Sequence, residues 1–414
     1  MKNRQRTQTG RSDFMKKALF VINTLGHAGA EMALLELLRH MDPEQYEVHL
    51  YVLMNQGELV HELPENVKLL NKKYDARSVL SREGKRVLYG QVLRAMISRG
   101  SVLKCFPYLV RDLCAMLSKG KVLPDKLLWR VMSEGGLRMD THYDLAVAYL
   151  EGGSTYYVAD HVKADKKAAF VHVDYEKAGY TRALDRECYL KYDKVFPVSD
   201  EVRASFLKIY PECESVTEVF HNIINREEIQ RKSMLPGGFS DQYDGVRILT
   251  VGRLTAQKAY EVSVEAMKLL KEKGVRAQWY VLGEGEQRGF LEDRIKKLGL
   301  EQEFILLGAV SNPYPYIRQA DLYVHASRFE GKSIAIQEAQ TLGKTILVSD
   351  CSGNREQVEH NVDGMLCSLT PAGISDGIME LLEDKEKCRR LGAAAAEKKQ
   401  TDESEVHKLL SMMK

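Results

Sequence analysis

Residues 322–339 read LYVHASRFEGKSIAIQEA. The first four residues are apolar enough for a short strand buried on both faces, the kind found in parallel sheets. Phe329-Glu330-Gly331 then reads as a loop, and Ser333 as the N-cap of a helix over 333–342. Strand, glycine turn and helix in that order make one unit of a doubly wound α/β sheet, whose ligands bind beyond the carboxyl ends of the strands. Two carboxylates, Glu330 and Glu338, stand eight positions apart around this turn. Eight residues of full helix would span roughly 12 Å, more than the roughly 5–9.5 Å between paired glycosidase carboxylates. They are therefore read as holding two parts of one long ligand. Glu338 would grip vicinal ribose hydroxyls, as acids do in dinucleotide sites, and Glu330 a second polyol further along. The amides of Ser333 and Ile334 would point into a cleft as anion donors. The plain alternative is two solvated carboxylates on a loop and a helix.

The same rhythm recurs along the chain. Strand candidates in the first half are 18–23, 48–53, 145–150, 168–173, 194–198 and 217–221. Those in the second half are 247–251, 278–282, 304–307, 322–325 and 345–348. Helical patterns lie between them, for instance over 30–40, 262–272 and 287–298. Alternating strand and helix predicts α/β architecture with two Rossmann-like, doubly wound parallel-sheet domains facing a cleft. The expected division is 1–230, a linker at 231–245 rich in Gly, Asp, Ser and Pro, a second domain at 246–395, and a C-terminal helix at 396–414 packing back on the first domain.

Five further segments lie at the ends of predicted strands. Asn23 to Glu31, NTLGHAGAE, opens a helix, and Gly26 and Gly29 would let backbone approach a ligand closely. It lacks the G-x-G-x-x-G dinucleotide pattern, and an ordinary strand-to-helix turn fits equally well. Val251 to Lys258, VGRLTAQK, brings Arg253 and Lys258 to a helix start, where a guanidinium fork and a mobile ammonium would neutralise a diphosphate. Leu282 to Glu286 is a glycine turn that reads first as structural. At 307–310, LGAV, the backbone around Val310 would meet a nucleobase. Phe170 to Tyr175, FVHVDY, ends a strand with His172 facing the cleft or held structurally.

The 414 residues exceed one ordinary core, and 44% hydrophobic with 29% charged residues fit a globular chain. No apolar run reaches the roughly 18 residues of a membrane span. Seven cysteines with no CxxC pair suggest reduced thiols in a cytoplasm. A net charge of +2 argues against a nucleic-acid binder. The pattern contains no Asp-x-Asp, no metal-ligand spacing, no P-loop and no G-x-S-x-G, so neither a metal nor another cofactor is expected. Charge is uneven, however. The first 17 residues are basic, and between Lys85 and Arg130 ten Lys/Arg face two acids. These alternate with apolar residues at amphipathic-helix spacing, which fits either a solvated basic face over 84–131 or a surface meeting anionic lipid headgroups.

Together these pieces resemble the retaining family-4 glycosyltransferases, which have the GT-B fold. The resemblance covers nearly the whole chain and is strongest over 247–366. It rests on EGKSIAIQEA, GRLTAQK, LGEGEQ, ADLYVHASRFEG, SGNREQV at 352–358 and NVDGMLC at 361–367, and in the first half on GHAGAE, FVHVDY, VFPVSDEVRASF and VFHNI. It implies transfer of a sugar from a nucleotide-sugar, UDP in preference to GDP, to a hydroxyl of a glycan or lipid-linked acceptor, with retention and no metal. Arg253 and Lys258 would bind the diphosphate and stabilise it as it leaves. Glu338 would bind ribose, Glu330 the donor sugar, and Ser333 and Ile334 the distal phosphate. Gly26 and Gly29 would press the N-terminal loop on the diphosphate, and His172 would lie beside the sugar. Two positions depart from the family. Ala259 follows the lysine where Gly is usual, and Lys332-Ser333 replace a bulky apolar residue and Pro, a variant that resembles enzymes of bacterial surface-polysaccharide assembly. The location implied is the cytoplasm, peripheral on the inner face of the membrane. A non-catalytic GT-B subunit, a nucleotide-sugar 2-epimerase and a membrane scaffold are the competing readings.

Overall fold

The structure, a computed structural model, describes residues 15–118, 124–399 and 403–414. The basic first 14 residues, and part of the basic stretch at 119–123, lie outside them. Twelve strands form two six-stranded sheets. The first holds β1 (Lys16–Ile22), β2 (Tyr46–Val52), β3 (Val67–Leu69), β4 (His142–Ala148), β5 (Lys163–Val171) and β6 (Lys194–Pro197), in the order β3-β2-β1-β4-β5-β6. The second holds β7 (Val246–Val251), β8 (Ala277–Leu282), β9 (Phe304–Gly308), β10 (Leu322–His325), β11 (Thr345–Ser349) and β12 (Met365–Cys367), in the order β12-β11-β10-β7-β8-β9. Every named pairing is parallel. Both sheets reverse direction of growth at their middle, between β1 and β4 and between β7 and β10. Such switch points leave a crevice at the carboxyl ends of the strands. The loops after β1, β7 and β10 all open there.

Helices cover both faces of each sheet, which is why the strands read as unbroken apolar runs. On one face of the first sheet, Leu34 and Leu38 of the Gly29–Arg39 helix pack on Phe20 and Leu50. Val406, Leu409 and Met413 join the same core, so the chain's last helix, Val406–Leu410, seats on the first domain. The opposite face is rich in tyrosine. There buried Asp185 accepts hydrogen bonds from the hydroxyls of Tyr156 (2.8 Å), Tyr175 (2.6 Å) and Tyr210 (3.3 Å).

One predicted strand needs correction. Residues 217–221 are not a strand: Thr217 makes one isolated bridge to Val195, because the four-residue β6 offers too short an edge for a ladder. The three-residue edge strands β3 and β12 had no counterpart in the reading, being too short to show a periodicity. The Arg226–Ser233 helix packs through Ile229 on the second domain's core, beside Tyr314 and Ile317, and its last residues occupy the start of the expected linker.

The basic region forms three helices, Arg82–Ile97, Ser101–Ser118 and Pro124–Gly135. The third buries Leu127, Val131 and Met132. The first two expose an apolar face that includes Tyr89, Leu93, Ile97, Leu103, Phe106 and Leu117. Among the described residues, no helix is long and apolar enough to cross a membrane.

Candidate functional site

The loop after β7 is built around two cations. β7 ends at Val251, Gly252 turns the chain, and a single 3-10 turn over Ala256–Lys258 leads to the Tyr260–Glu272 helix. The junction is Ala259, at φ 47° and ψ 36°. This is the left-handed region, which a Cβ makes costly. The Ala259 departure thus falls on a position whose backbone favours glycine. The kink returns Lys258 toward the end of β10, where its Nζ lies 2.6 Å from Glu330 Oε1 and 3.0 Å from His325 Nε2.

Glu330 is buried in a shell of donors. Oε1 also meets His325 Nε2 at 3.0 Å and the Ser327 hydroxyl, while Gln257 Nε2 approaches Oε2 at 3.4 Å. Burial alone would raise this carboxyl, but the charge of Lys258 and the His325 contact outweigh it and hold it far below the usual range. His325 is pushed down by burial and by Lys258, so its ring stays neutral.

Glu338 has the opposite environment. Burial lifts it to about 7, and its one close partner is the Tyr314 hydroxyl, which donates to Oε1 at 2.9 Å. It projects from the Ile334–Thr341 helix, which begins at Ser333. Ser333 occupies the N-cap position, but its side chain makes no cap bond. Among the described residues, no protein acceptor takes the amides of Ser333, Ile334 and Ala335. Arg253 is exposed and has no ion-pair partner among the described residues. A free guanidinium and a helix N-terminus therefore face the same crevice, a combination suited to an anion.

The first domain supplies the other wall. His172, just past the end of β5, is half-buried, and desolvation pushes its imidazole down to about 4, so it is neutral near pH 7; its Nε2 has no partner. Glu151 fixes its backbone by accepting from the amides of His172 and Val173. Glu31, in the first turn of the Gly29–Arg39 helix, is lifted to about 7 by burial, against the pull of Arg253 across the crevice. The domains touch where Gly331 meets His172: a Cβ on Gly331 would lie 2.1 Å from the His172 carbonyl oxygen.

One cavity of about 340 Å³ lies between these walls. Gly29, His172, Arg253, Lys258, Val310, Glu330, Ser333, Ile334 and Glu338 all line it. Gly26 does not. It sits behind the loop, where an added Cβ would meet only Glu58 and Val79 at 3.7 Å. Sequence reasoning missed Glu31 and His325. Glu31 closed a quoted loop motif, and His325 ended a predicted strand just before the Glu330 loop. Strand-end position was the one available signal for His325, and burial of Glu31 had none. Among the described residues, no group of three or more His, Cys, Asp or Glu is placed to hold a metal ion.

Residues 242–398, most of the second domain, match the family of glycosyl transferases group 1. That match covers less than half of the chain. The chain is 30% identical over 200 residues to an uncharacterized glycosyltransferase of Methanocaldococcus jannaschii, covering 46% of this chain and 51% of that one. It is 29% identical over 198 residues to the N-acetylgalactosamine-N,N'-diacetylbacillosaminyl-diphospho-undecaprenol 4-alpha-N-acetylgalactosaminyltransferase of Campylobacter jejuni, covering 47% and 52%. The match thus spans about half the length of these curated relatives. Among solved structures, Anabaena HepE in complex with UDP-glucose superposes with a TM-score of 0.66 at 16% identity, covering 95% of this chain and 99% of that one. A Staphylococcus aureus TarM variant bound to fondaparinux, α-GlcNAc-glycerol and UDP gives 0.66 at 13% identity, covering 96% and 100%. The fold is GT-B, and the chain resembles GT-B glycosyltransferases of the surface-polysaccharide type.

Proposed function

We propose that this group 1 glycosyltransferase chain transfers a sugar from a nucleotide diphosphate sugar, a UDP-sugar, to a hydroxyl of a glycan or lipid-linked acceptor in bacterial surface-polysaccharide synthesis, retaining anomeric configuration and needing no metal. The observation that carries the reading is the convergence of Arg253, Lys258 and the first-turn amides of the Ile334–Thr341 helix on one cavity. These are the groups that a leaving diphosphate requires, and Lys258 and the helix amides are held in place before the charge develops. Glu338 would hold the ribose. Glu330 would present Oε2 to the donor sugar while its Oε1 fixes Lys258. Neutral His172, with Nε2 unpartnered in the cavity wall, would hydrogen-bond the sugar beside the reaction centre. The acceptor proton would pass to the leaving phosphate. The UDP carried by HepE and TarM and the lipid-linked substrate named for the Campylobacter relative support the donor and acceptor assignments. The exposed apolar face on the Arg82–Ile97 and Ser101–Ser118 helices, with its lysines and arginines, would rest on the inner, anionic face of the cell membrane.

A direct test is UDP release from UDP-glucose and UDP-N-acetylglucosamine by purified protein. Slow donor hydrolysis without acceptor, lost in Lys258→Ala, supports the transferase. One observation favours a second reading, a non-catalytic subunit: the left-handed Ala259 beside Lys258. That reading expects no UDP release from any donor, and none after Ala259→Gly.

A further inference from the structure

A second cavity, of about 350 Å³, opens in the first domain and shares no lining residue with the interdomain crevice. Its walls come from the carboxyl ends of β2 and β3, the end of the Arg82–Ile97 helix and the turn after the Pro124–Gly135 helix. Four cations line it: Lys72, Lys73, Arg94 and Arg99. No carboxylate does. Other basic residues of this region are paired, Lys104 with Glu134 at 3.0 Å and Arg111 with Asp112 at 2.9 Å. The four lining cations have no ion pair among the described residues.

The backbone holds one of them in a costly shape. Arg99 has φ 55° between two helices, a conformation that only surrounding structure sustains in a non-glycine residue. Its charge reaches the Tyr51 phenol in the cavity wall, pulling down a group that burial raises. Gln91 adds a neutral hydrogen-bonding group. Four like charges converging on a concave space repel one another and concentrate a polyvalent anion. Arginine forks and lysine ammoniums are the groups that recognise phosphate. Ile97, three residues after Arg94 and so its neighbour on the helix surface, belongs to the exposed apolar face.

We propose that this cavity binds a phosphate or diphosphate group at a site separate from the nucleotide-sugar crevice. The ligand is a soluble phosphate compound or a lipid headgroup, and the adjoining apolar face favours the headgroup. The inference does not depend on the donor assignment.

The test is calorimetric titration of inorganic pyrophosphate into the full chain with UDP present to fill the crevice. Wild type is expected to bind, and the double variant Lys72→Gln, Arg94→Gln at least tenfold more weakly. Both substituted residues are exposed, and an unchanged thermal midpoint shows that the variant folds. Arg253→Ala should lose UDP and keep this site, so failure of the donor assignment and failure of the second site give different results. Equal pyrophosphate binding by wild type and double variant, or none by wild type, overturns the proposal. Sedimentation with phosphatidylglycerol vesicles separates the sources. Pelleting that pyrophosphate displaces and the double variant lacks points to a lipid headgroup. Pyrophosphate binding without pelleting points to a soluble ligand. Both support the site.

Discussion

Lys258 Nζ lies 2.6 Å from Glu330 Oε1, and His325 Nε2 stands 3.0 Å from each of these atoms. The motif's first carboxylate thus belongs to the cation that the sequence assigned to the diphosphate. Oε1 holds Lys258 in place, while Oε2 has only Gln257 Nε2 near it, at 3.4 Å, among the described residues. The pair is buried, so its geometry is fixed by packing as well as by charge.

Glu330→Gln should therefore act on both stability and turnover. It removes a charged acceptor from Lys258 and leaves the ammonium without its counter-charge, a loss of about 1.5–3 kcal/mol. Turnover should fall at least tenfold with a smaller change in KM. Thermal unfolding and steady-state kinetics check the two halves. Because this carboxyl sits below its ordinary value, its stabilisation is present above about pH 4.5 and disappears as pH falls through the folded value. The variant should lack that acid limb.

Glu338 carries the opposite sign. Its folded value of about 7 lies above the ordinary 4.5, so the folded state holds the proton more tightly. Stability should fall as pH rises from about 4.5 to 7 and then level, a cost on the order of 3 kcal/mol. Glu338→Gln should flatten that window relative to wild type. It should also weaken donor binding more than it slows turnover. A pH series of unfolding curves, with donor affinity measured at each pH, decides it.

Ala259→Gly relieves a left-handed residue, worth about 1–2 kcal/mol, against the entropy and buried methyl lost. The expected net gain is up to about 1 kcal/mol, with tighter donor binding, because Lys258 follows the same turn. Differential scanning calorimetry and a donor titration read both effects. A lower midpoint would show that the site tolerates alanine without strain.

Gly331→Ala should leave each domain folded and damage the contact between them. The new Cβ would stand 2.1 Å from the His172 carbonyl oxygen, so one wall must retreat. A misplacement of about 1 Å at a reacting centre costs on the order of a hundredfold in rate. Kinetics should show a fall of at least tenfold in kcat/KM, while circular dichroism stays native.

The sheets were legible because parallel strands covered on both faces spell continuous apolar runs, and 18–23, 247–251 and 322–325 fall on β1, β7 and β10 within a residue or two. Arg253, Lys258 and Glu330 were legible as crevice residues because they follow β7 and β10 at a switch point. The packing of the Arg226–Ser233 helix on the second domain was not, since its polar sequence gives no hint of it. The Lys258–Glu330 pair was equally hidden: it joins residues 72 positions apart, and only the left-handed turn at Ala259 brings the lysine back. His325 and Glu31 take their character from burial, which one sequence does not display.

The account's central claim is that a nucleotide diphosphate binds between Arg253, Lys258 and the Ile334–Thr341 helix without a metal. Titration of UDP into the protein in EDTA tests it most directly. Saturable binding, unchanged by added magnesium and at least tenfold weaker in Arg253→Ala, is the predicted result. No binding in EDTA, or equal binding by the variant, would contradict it.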